Sequence, residues 1–341
     1  MNNTVRIIIA FCVVLAIAAA FSAGWFLAGS RVQPELITAP AGVYTPDRNT
    51  EYAVGADIFQ LSGENRAQIM QAYSIVFTRV EQLNEYCEDE ENSDWTLTTG
   101  SDGEKLMSCK GRRVAVVTDV DETLLDNSAY YCNALLNGEP TDDASFLEFQ
   151  RAGGGTALPN SVKLMNFLAD SGIEIYYLAE RSNPDTDADT YDLTLEQLET
   201  LGYPVDDMHL ILLDPASATE SREDARTAIE AGLKLSNGRR VSADGSGERT
   251  RLSLKKHHVV LTLGDSLSDF SADFADAELN AVSRAKLAEK YAPQFGKEWV
   301  LVPNAMTGEA LDGGIRYGVS ALFRALKPAE ARTPVAVGTA R

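Results

Sequence analysis

The sequence predicts an α/β fold with a doubly wound, mostly parallel sheet, a small helical cover and an N-terminal membrane segment. Three observations predict it. Short apolar runs alternate with helical patterns through residues 114–304, two of these runs end in acids, and an uncharged apolar stretch opens the chain. Alternating strands and helices favour crossover connections, which make the strands parallel and place helices on both faces of the sheet.

The N-terminal stretch carries no charge from Ile7 to Ala28, and Arg6 and Arg31 flank it. These 22 residues are enough to span a bilayer as a helix. Their number favours an uncleaved signal anchor over residues 1–30, and a cleaved signal peptide ending near "AIAAAFSA" is the alternative. We therefore expect an exported protein that is anchored at the periplasmic or extracellular face of a membrane.

A linker is predicted at 31–55, where prolines interrupt the pattern, and a globular domain at 56–325. Its first helix is predicted from 57 to about 85, because apolar residues recur there at spacings of three and four. Ser62 is its predicted N-cap. A disordered tail is predicted at 326–341.

The core of the domain alternates between the two types of element. Strands are predicted at 114–118, 173–179, 208–213, 257–265 and 298–304. Helices are predicted at 161–172, 193–204 and 221–235, the first two ending at glycine. Residues 236–256 are polar and basic and predict a loop.

Two cysteines, Cys87 and Cys109, flank an acidic stretch that predicts a loop. In an exported protein, a disulfide between them would close this loop, and the alternative is that they and Cys132 are free thiols. The fourth, Cys12, lies in the apolar stretch. With three histidines and no zinc-type spacing, histidine-based metal or triad chemistry is not expected.

The charge balance argues against nucleic acid as a partner. The chain has 50 acidic and 30 basic side chains, a formal net charge of -20. Such a field repels phosphate backbones. A site that handles phosphate would therefore need a metal ion or local cations.

Acids follow the ends of two predicted strands. Asp119 and Asp121 follow the strand at 114–118. Asp265 and Asp269 lie in "GDSLSD", which begins where the apolar run of the strand at 257–265 ends. Since the carboxyl ends of parallel strands share one edge, we expect these acids to converge. Like charges so close need a cation, and Mg²⁺ prefers oxygen ligands.

The spacing of the first two acids also indicates roles. Asp119, first out of the strand, can attack phosphorus as a nucleophile, and Asp121 can protonate the leaving oxygen and then activate water. The alternative is that the two acids merely cap a helix at a strand–helix turn.

Both motifs carry a family resemblance. "DVDET" and "GDSLSD" resemble the haloacid dehalogenase (HAD) superfamily signature, Asp-x-Asp-x-Thr with Gly-Asp-x-x-x-Asp. "DETLLDNSAYY", "SGENRAQIMQAY", "GDSLSDFSADF" and "FGKEWVLVPNAMTG" are similar to the class C acid phosphatases, exported and usually membrane-attached bacterial enzymes. The resemblance covers residues 56–320 and implies a HAD-like Rossmannoid core.

The resemblance also implies a reaction centre. It makes Asp119 the nucleophile and Asp121 the general acid and base. It assigns Mg²⁺ to Asp119, the backbone carbonyl of Asp121 and Asp265, with Asp269 assisting through water or hydrogen bonds.

Two phosphate-binding positions depart from the family. Where relatives have Ser or Thr followed by Asn-Arg, this chain has Ala179, Glu180 and Arg181. Where they have Lys at a helix start, it has Arg222. The resemblance implies that Arg181 and Arg222 bind substrate, although an exposed helix terminus is the alternative for Arg222. A lost charge-assisted hydrogen bond, roughly 1.5–3 kcal/mol, would slow turnover roughly 10- to 150-fold.

Two functions remain open. The first is an exported, Mg²⁺-dependent acid phosphatase that hydrolyses small phosphomonoesters, including nucleoside monophosphates, through an aspartyl-phosphate intermediate. The second is a weakly active or inactive relative that binds a phosphorylated ligand or a surface partner. Tyr130, Tyr131 and Phe146 in the predicted cover either stack on a base or aryl group or simply pack the cover.

Overall fold

The structure is a computed structural model of the whole chain. It describes residues 55, 58–89, 91–137, 139, 141–181, 188–206, 208–213, 221–233, 256–276, 279 and 281–306. The predicted membrane segment, nearly all of the linker and basic loop, and the tail lie outside these residues. Within them, no helix is both long enough and apolar enough to cross a membrane.

Nine named strands occur among the described residues. In chain order they are β1 (Trp95–Thr99), β2 (Lys105–Cys109), β3 (Arg112–Asp119), β4 (Leu125–Asp126), β5 (Thr156–Ala157), β6 (Glu174–Glu180), β7 (Leu210–Leu213), β8 (His257–Gly264) and β9 (Trp299–Leu301). The parallel sheet has the order β9-β8-β3-β6-β7. The five predicted strands are thus confirmed.

Seven named α-helices accompany them in the same part of the chain. They are α1 (Gly63–Glu88), α2 (Ser128–Asn137), α3 (Asp143–Arg151), α4 (Ser161–Asp170), α5 (Ala188–Thr200), α6 (Arg222–Ala231) and α7 (Ala281–Lys290). Ser62 caps α1 as predicted, because its side chain accepts a hydrogen bond from the Asn65 amide. Helices α2 and α3 form the predicted small cover between β4 and β5, whereas α7 was not predicted.

The sheet is covered on both faces, which makes the fold doubly wound as predicted. One core cluster joins α1 and α4 to the sheet through Tyr73, Leu168 and Val116. A smaller cluster on the other face joins α6 through Ile229 to Val117. β3 lies between these clusters and ends at the upper edge of the sheet, where the predicted acids follow.

The acidic stretch after α1 is not the loop that the sequence predicts. It folds into β1 and β2, an antiparallel hairpin that continues onto the start of β3 through the pair Cys109 and Arg112. The sheet is therefore mixed. Four of the five β1 residues are exposed, so this strand lacks the alternating apolar pattern by which strands are recognised.

Of the two alternatives for Cys87 and Cys109, the structure has the free thiols. Cys87, near the end of α1, and Cys109, at the end of β2, are both thiols, and Cys109 is buried. Burial raises the pKa of both groups. The free-thiol alternative describes this structure.

The lower edge of the sheet has an ion-pair cluster. Glu174 at the start of β6 pairs with Arg113 of β3 and with His257 of β8. The His257 side chain is 1% exposed and that of Glu174 is 16% exposed. This cluster joins three adjacent strands at the edge opposite the predicted site.

Candidate active site

Asp119 is the last residue of β3 and is buried, with 4% of its surface exposed. Its Oδ1 accepts a hydrogen bond of 2.7 Å from Nη2 of Arg222. Burial raises the pKa of Asp119 well above its ordinary value, Arg222 opposes this, and Asp265 and Asp121 add to it. A buried carboxylate at the carboxyl end of a central strand is thus held against a single cation.

Two further carboxylates lie beside it. Asp265 directly follows β8, and Asp269 ends a short 3-10 helix, Leu267–Asp269. Oxygens of Asp119, Asp265 and Asp269 all lie within 4.8 Å of one another. The predicted convergence is confirmed for these three acids. A β-carbon on Gly264 would overlap the Asp269 side chain, so this approach requires glycine.

Asp265 and Asp269 each accept hydrogen bonds from neighbouring residues. The Thr123 hydroxyl donates to Oδ1 of Asp265 at 2.9 Å, and the Asn304 amide donates to Oδ2 at 2.7 Å. Oδ2 of Asp269 accepts from the Ser266 backbone at 2.8 Å. These donors orient the carboxylates before any ligand binds.

The three-carboxylate cluster fits a hard divalent cation. Its donors are all oxygens, and Asp119 and Asp269 are buried, so their mutual repulsion is poorly screened by water. It is the one group of at least three potential metal ligands that the described residues provide at such separations. The Asp121 side chain is not part of the group.

Asp121 instead faces two nitrogen donors. Its Oδ1 accepts hydrogen bonds from Nδ2 of Asn127 at 2.8 Å and from Nη2 of Arg181 at 2.9 Å. Arg181 is 3% exposed, and its guanidinium lies 5.2 Å from the centre of the Phe146 ring. Its Nε and Nη1 have no partner among the described residues, which leaves two donors for a ligand.

Arg222 lies inside the site and not on an exposed helix end. It is the first residue of α6, which Ser221 caps, and its side chain is 12% exposed. It pairs with Asp119, with Asp269 and, at 3.4 Å, with Glu180. Burial lowers the pKa of Arg222, but the neighbouring acids, first Asp119, outweigh it and raise the value overall.

The position of the missing hydroxyl is apolar. Ala179 lies in β6, is fully buried and belongs to the larger core cluster. The next residue, Glu180, contacts Arg222. The local cradle therefore consists of two arginines and an acid, without the hydroxyl.

The site contains two residues to which the sequence analysis gave no role. Asn127 is 1% exposed and contacts Asp121. Glu122 is 4% exposed with φ at 56°, and burial, followed by Asp121 and Asp265, raises its pKa well above the ordinary value. Both residues lie inside "DETLLDNSAYY". Their position within a few residues of Asp121 was the one feature of the sequence that could have indicated a role in the site.

The aromatic residues of the cover pack against one another. Tyr130 lies 5.0 Å from Tyr131, 5.2 Å from Phe146 and 5.5 Å from Phe149, measured between ring centres. The packing alternative therefore describes these contacts. Phe146 is also the ring beneath Arg181, which connects the cover to the site.

Comparisons with known proteins identify the family. The family model described as HAD superfamily, subfamily IIIB (acid phosphatase), matches residues 64–310. Acid phosphatase 1 of Solanum lycopersicum is 30% identical over 125 residues, which make up 35% of this chain and 46% of the tomato protein. The match thus spans less than half the length of that curated relative.

Two solved structures have a similar fold. The class C acid phosphatase from Bacillus anthracis has a TM-score of 0.57 and 21% identity, over 80% of this chain and 91% of that one. Its tungstate-bound form has a TM-score of 0.56 and 21% identity, over 79% and 96% of the two chains. Since the family model spans most of the chain, with both acidic motifs inside the match, this protein belongs to the HAD superfamily, subfamily IIIB, the acid phosphatases.

Proposed function

We propose that this protein is an exported, Mg²⁺-dependent acid phosphatase that hydrolyses small phosphomonoesters through an aspartyl-phosphate on Asp119. The observation that carries the proposal is the contact between Asp119 and Arg222 beside two further carboxylates. This arrangement combines a fixed nucleophile, a cation for phosphate oxygens and a set of oxygen ligands for a metal ion. Family membership supports it, as does a similar structure that holds tungstate, a tetrahedral oxyanion like phosphate.

The reaction has two steps. In the first, an oxygen of Asp119 attacks phosphorus, the bond between phosphorus and the leaving oxygen breaks, and Asp121 donates a proton to that oxygen. In the second, Asp121 takes a proton from water, and the water oxygen attacks phosphorus. Inorganic phosphate leaves, and Asp119 is restored as a carboxylate.

The two arginines bind the phosphate oxygens. Arg222 stands next to Asp119, and Arg181 keeps two unpartnered nitrogens near Asp121. Planar guanidinium groups can each bind two oxygens, and Ala179 adds no hydroxyl to them. Mg²⁺ would be held by Asp119, Asp265, Asp269 and the Asp121 carbonyl, and when bound it supplies positive charge that offsets the charge of the phosphate oxygens.

The location and substrates complete the proposal. The apolar segment at 7–28 anchors the protein in the membrane, and the phosphatase domain lies outside the cytoplasm. Substrates are small phosphomonoesters, nucleoside monophosphates among them. Protease treatment of cells whose outer membrane, where present, has been permeabilised tests the location, because an exported domain is degraded while cytoplasmic proteins survive.

Phosphate release tests the activity. Purified full-length protein is incubated with p-nitrophenyl phosphate and a panel of nucleotides between pH 4 and 8, with Mg²⁺ or with EDTA, and Asp119→Asn is the control. We expect release that requires Mg²⁺ and is lost in the variant. No metal-dependent release anywhere in this range would refute the proposal and leave a relative that only binds phosphorylated ligands.

A further inference from the structure

We propose that Asn127 is a positioning residue for the proton-transfer group Asp121, and that Gly155 leaves the space which the Asn127 amide and the Asp126 backbone occupy. The inference rests on the proposed function, in which Asp121 acts on the leaving oxygen. It concerns a residue that does not touch the reacting atoms. Its role is to fix the orientation of a carboxylate that does.

Two nitrogen donors hold one oxygen of the Asp121 carboxylate. Asn127 and Arg181 both donate to the same oxygen, Oδ1. An oxygen that accepts two N–H donors has no room for a proton of its own. The proton that Asp121 transfers must therefore reside on Oδ2, to which no described residue donates a hydrogen bond. The two donors thus decide which oxygen acts.

Asn127 itself is held in place. It is 1% exposed and lies between β4 and α2, and its backbone carbonyl accepts a hydrogen bond from the Tyr130 amide at 2.9 Å. The pairing of β4 with β5, Asp126 opposite Thr156, brings Gly155 beside it. The backbone of Asn127 is therefore fixed at the base of the cover, and its buried side chain lies beside Gly155.

Gly155 leaves space beside Asn127. A β-carbon on Gly155 would overlap Oδ1 of Asn127 and lie 2.6 Å from the carbonyl oxygen of Asp126. The backbone of Gly155 is outside the left-handed region, so conformational strain does not require glycine there. Glycine is needed here because both the Asn127 amide and the Asp126 backbone approach closely, and an added methyl group would displace them.

Asn127 and Arg181 differ in what their loss would reveal. Arg181 carries charge and has two nitrogens left for a ligand, so its removal changes binding and proton transfer together. Asn127 is neutral and its amide nitrogen is directed to Asp121. Its removal therefore changes the orientation of Asp121 without removing a phosphate-binding cation, although Asn127 also hydrogen-bonds Glu122.

The consequence depends on the leaving group. An alkoxide leaves poorly unless it is protonated as it departs, whereas p-nitrophenolate leaves readily without a proton. A misoriented Asp121 should therefore slow the cleavage of an alkyl phosphate much more than that of p-nitrophenyl phosphate. A general loss of folding or of phosphate binding would slow both to the same extent.

The experiment compares kcat/KM for glycerol 3-phosphate and p-nitrophenyl phosphate in the full-length protein with Mg²⁺. The test variants are Asn127→Ala and Gly155→Ala. The controls are Asn166→Ala, an exposed amide on α4, and Gly63→Ala, where an added β-carbon meets nothing within 4 Å. We expect the ratio of the two kcat/KM values to shift against the alkyl phosphate by about tenfold or more in both test variants, because general acid catalysis contributes roughly 10²- to 10⁴-fold, and to stay constant in the controls. An equal loss on both substrates in Asn127→Ala overturns the proposal.

A crystal structure of Asn127→Ala provides a readout that needs no activity. Rotation of the Asp121 carboxylate away from its wild-type orientation supports the positioning role, and an unchanged carboxylate contradicts it. If the wild-type enzyme releases no phosphate, the proposed function fails. The orientation of Asp121 in the variant then still decides whether Asn127 positions it.

Discussion

Arg222 donates a 2.7 Å hydrogen bond to Asp119 from a distance of 103 residues along the chain. The contact exists because β3 ends, and α6 begins, at the same edge of the sheet. It gives a buried carboxylate a cation at hydrogen-bonding distance.

Replacing Arg222 tests this relationship. Arg222→Ala should lower kcat/KM for p-nitrophenyl phosphate roughly 10- to 150-fold, because a charge-assisted hydrogen bond is worth roughly 1.5–3 kcal/mol. Arg222→Lys should stay much closer to wild type, since it keeps the charge at the family's own residue. Steady-state phosphate release measures both. Arg112→Ala, an exposed arginine at the other end of β3, is the control, and wild-type activity in Arg222→Ala would exclude a role for this cation.

Ala179→Ser restores the hydroxyl that relatives have. We expect kcat/KM to rise by up to about tenfold, the effect of roughly 1.4 kcal/mol gained in the transition state. Because Ala179 is fully buried, the added hydroxyl should also lower the free energy of unfolding by about 1–3 kcal/mol. Phosphate release and thermal unfolding measure the two effects. Unchanged activity in a folded variant would mean that the arginines already supply what the hydroxyl provides elsewhere.

Thr123 should control metal affinity without binding the metal ion. Its hydroxyl orients Asp265, and the loss of such an outer partner commonly weakens metal binding about 10- to 100-fold. Thr123→Val, which keeps the shape, should therefore require about 10- to 100-fold more Mg²⁺ for half-maximal activity. Thr123→Ser keeps the hydroxyl and should not. Titration with Mg²⁺ after dialysis against EDTA measures this, and equal requirements in both variants would contradict the assignment.

Glu174 should stabilise the fold in a pH-dependent way. Burial raises its pKa, but hydrogen bonds and charge from His257 and Arg113 outweigh this, so the folded-state pKa lies below the ordinary value of 4.5. The ionised carboxylate therefore stabilises the fold above that value, and this contribution is lost as pH falls through the folded pKa. Glu174→Gln should lower the free energy of unfolding by about 1–3 kcal/mol at pH 7, with the difference from wild type shrinking at low pH.

Urea unfolding at several pH values measures this difference. Glu81→Gln, an exposed change on α1, is the control. A gap between wild type and Glu174→Gln that does not change with pH would show that shape, and not charge, accounts for the effect.

The sequence was sufficient for the parallel core and for the acids at its edge. Each central strand is a short apolar run, and the end of β3 at Asp119 follows directly from that pattern. The β1–β2 hairpin was not predicted, because the residues of its first strand are mostly exposed and do not alternate between apolar and polar. Burial patterns of this kind depend on tertiary neighbours, which local sequence does not encode.

The candidate site likewise contains contacts that the sequence predicts and contacts that it does not. The convergence of Asp119, Asp265 and Asp269 follows from parallel topology, so it could be predicted. The burial of Arg222 depends on how α6 packs on β8, and the contact of Asn127 depends on the pairing of β4 with β5. Neither packing contact can be recognised from a repeating pattern of apolar residues in the sequence.

A hydrogen bond from Tyr73 of α1 limits where this domain can be cut without loss of its site. Its hydroxyl donates a 2.6 Å hydrogen bond to the carbonyl of Thr123, 50 residues downstream, and Thr123 in turn holds Asp265. The helix that precedes the sheet therefore supports the three-carboxylate cluster through Thr123. A protease cut within α1 would remove this support, so a fragment that keeps the geometry of the cluster must retain the helix from Ser62 onward.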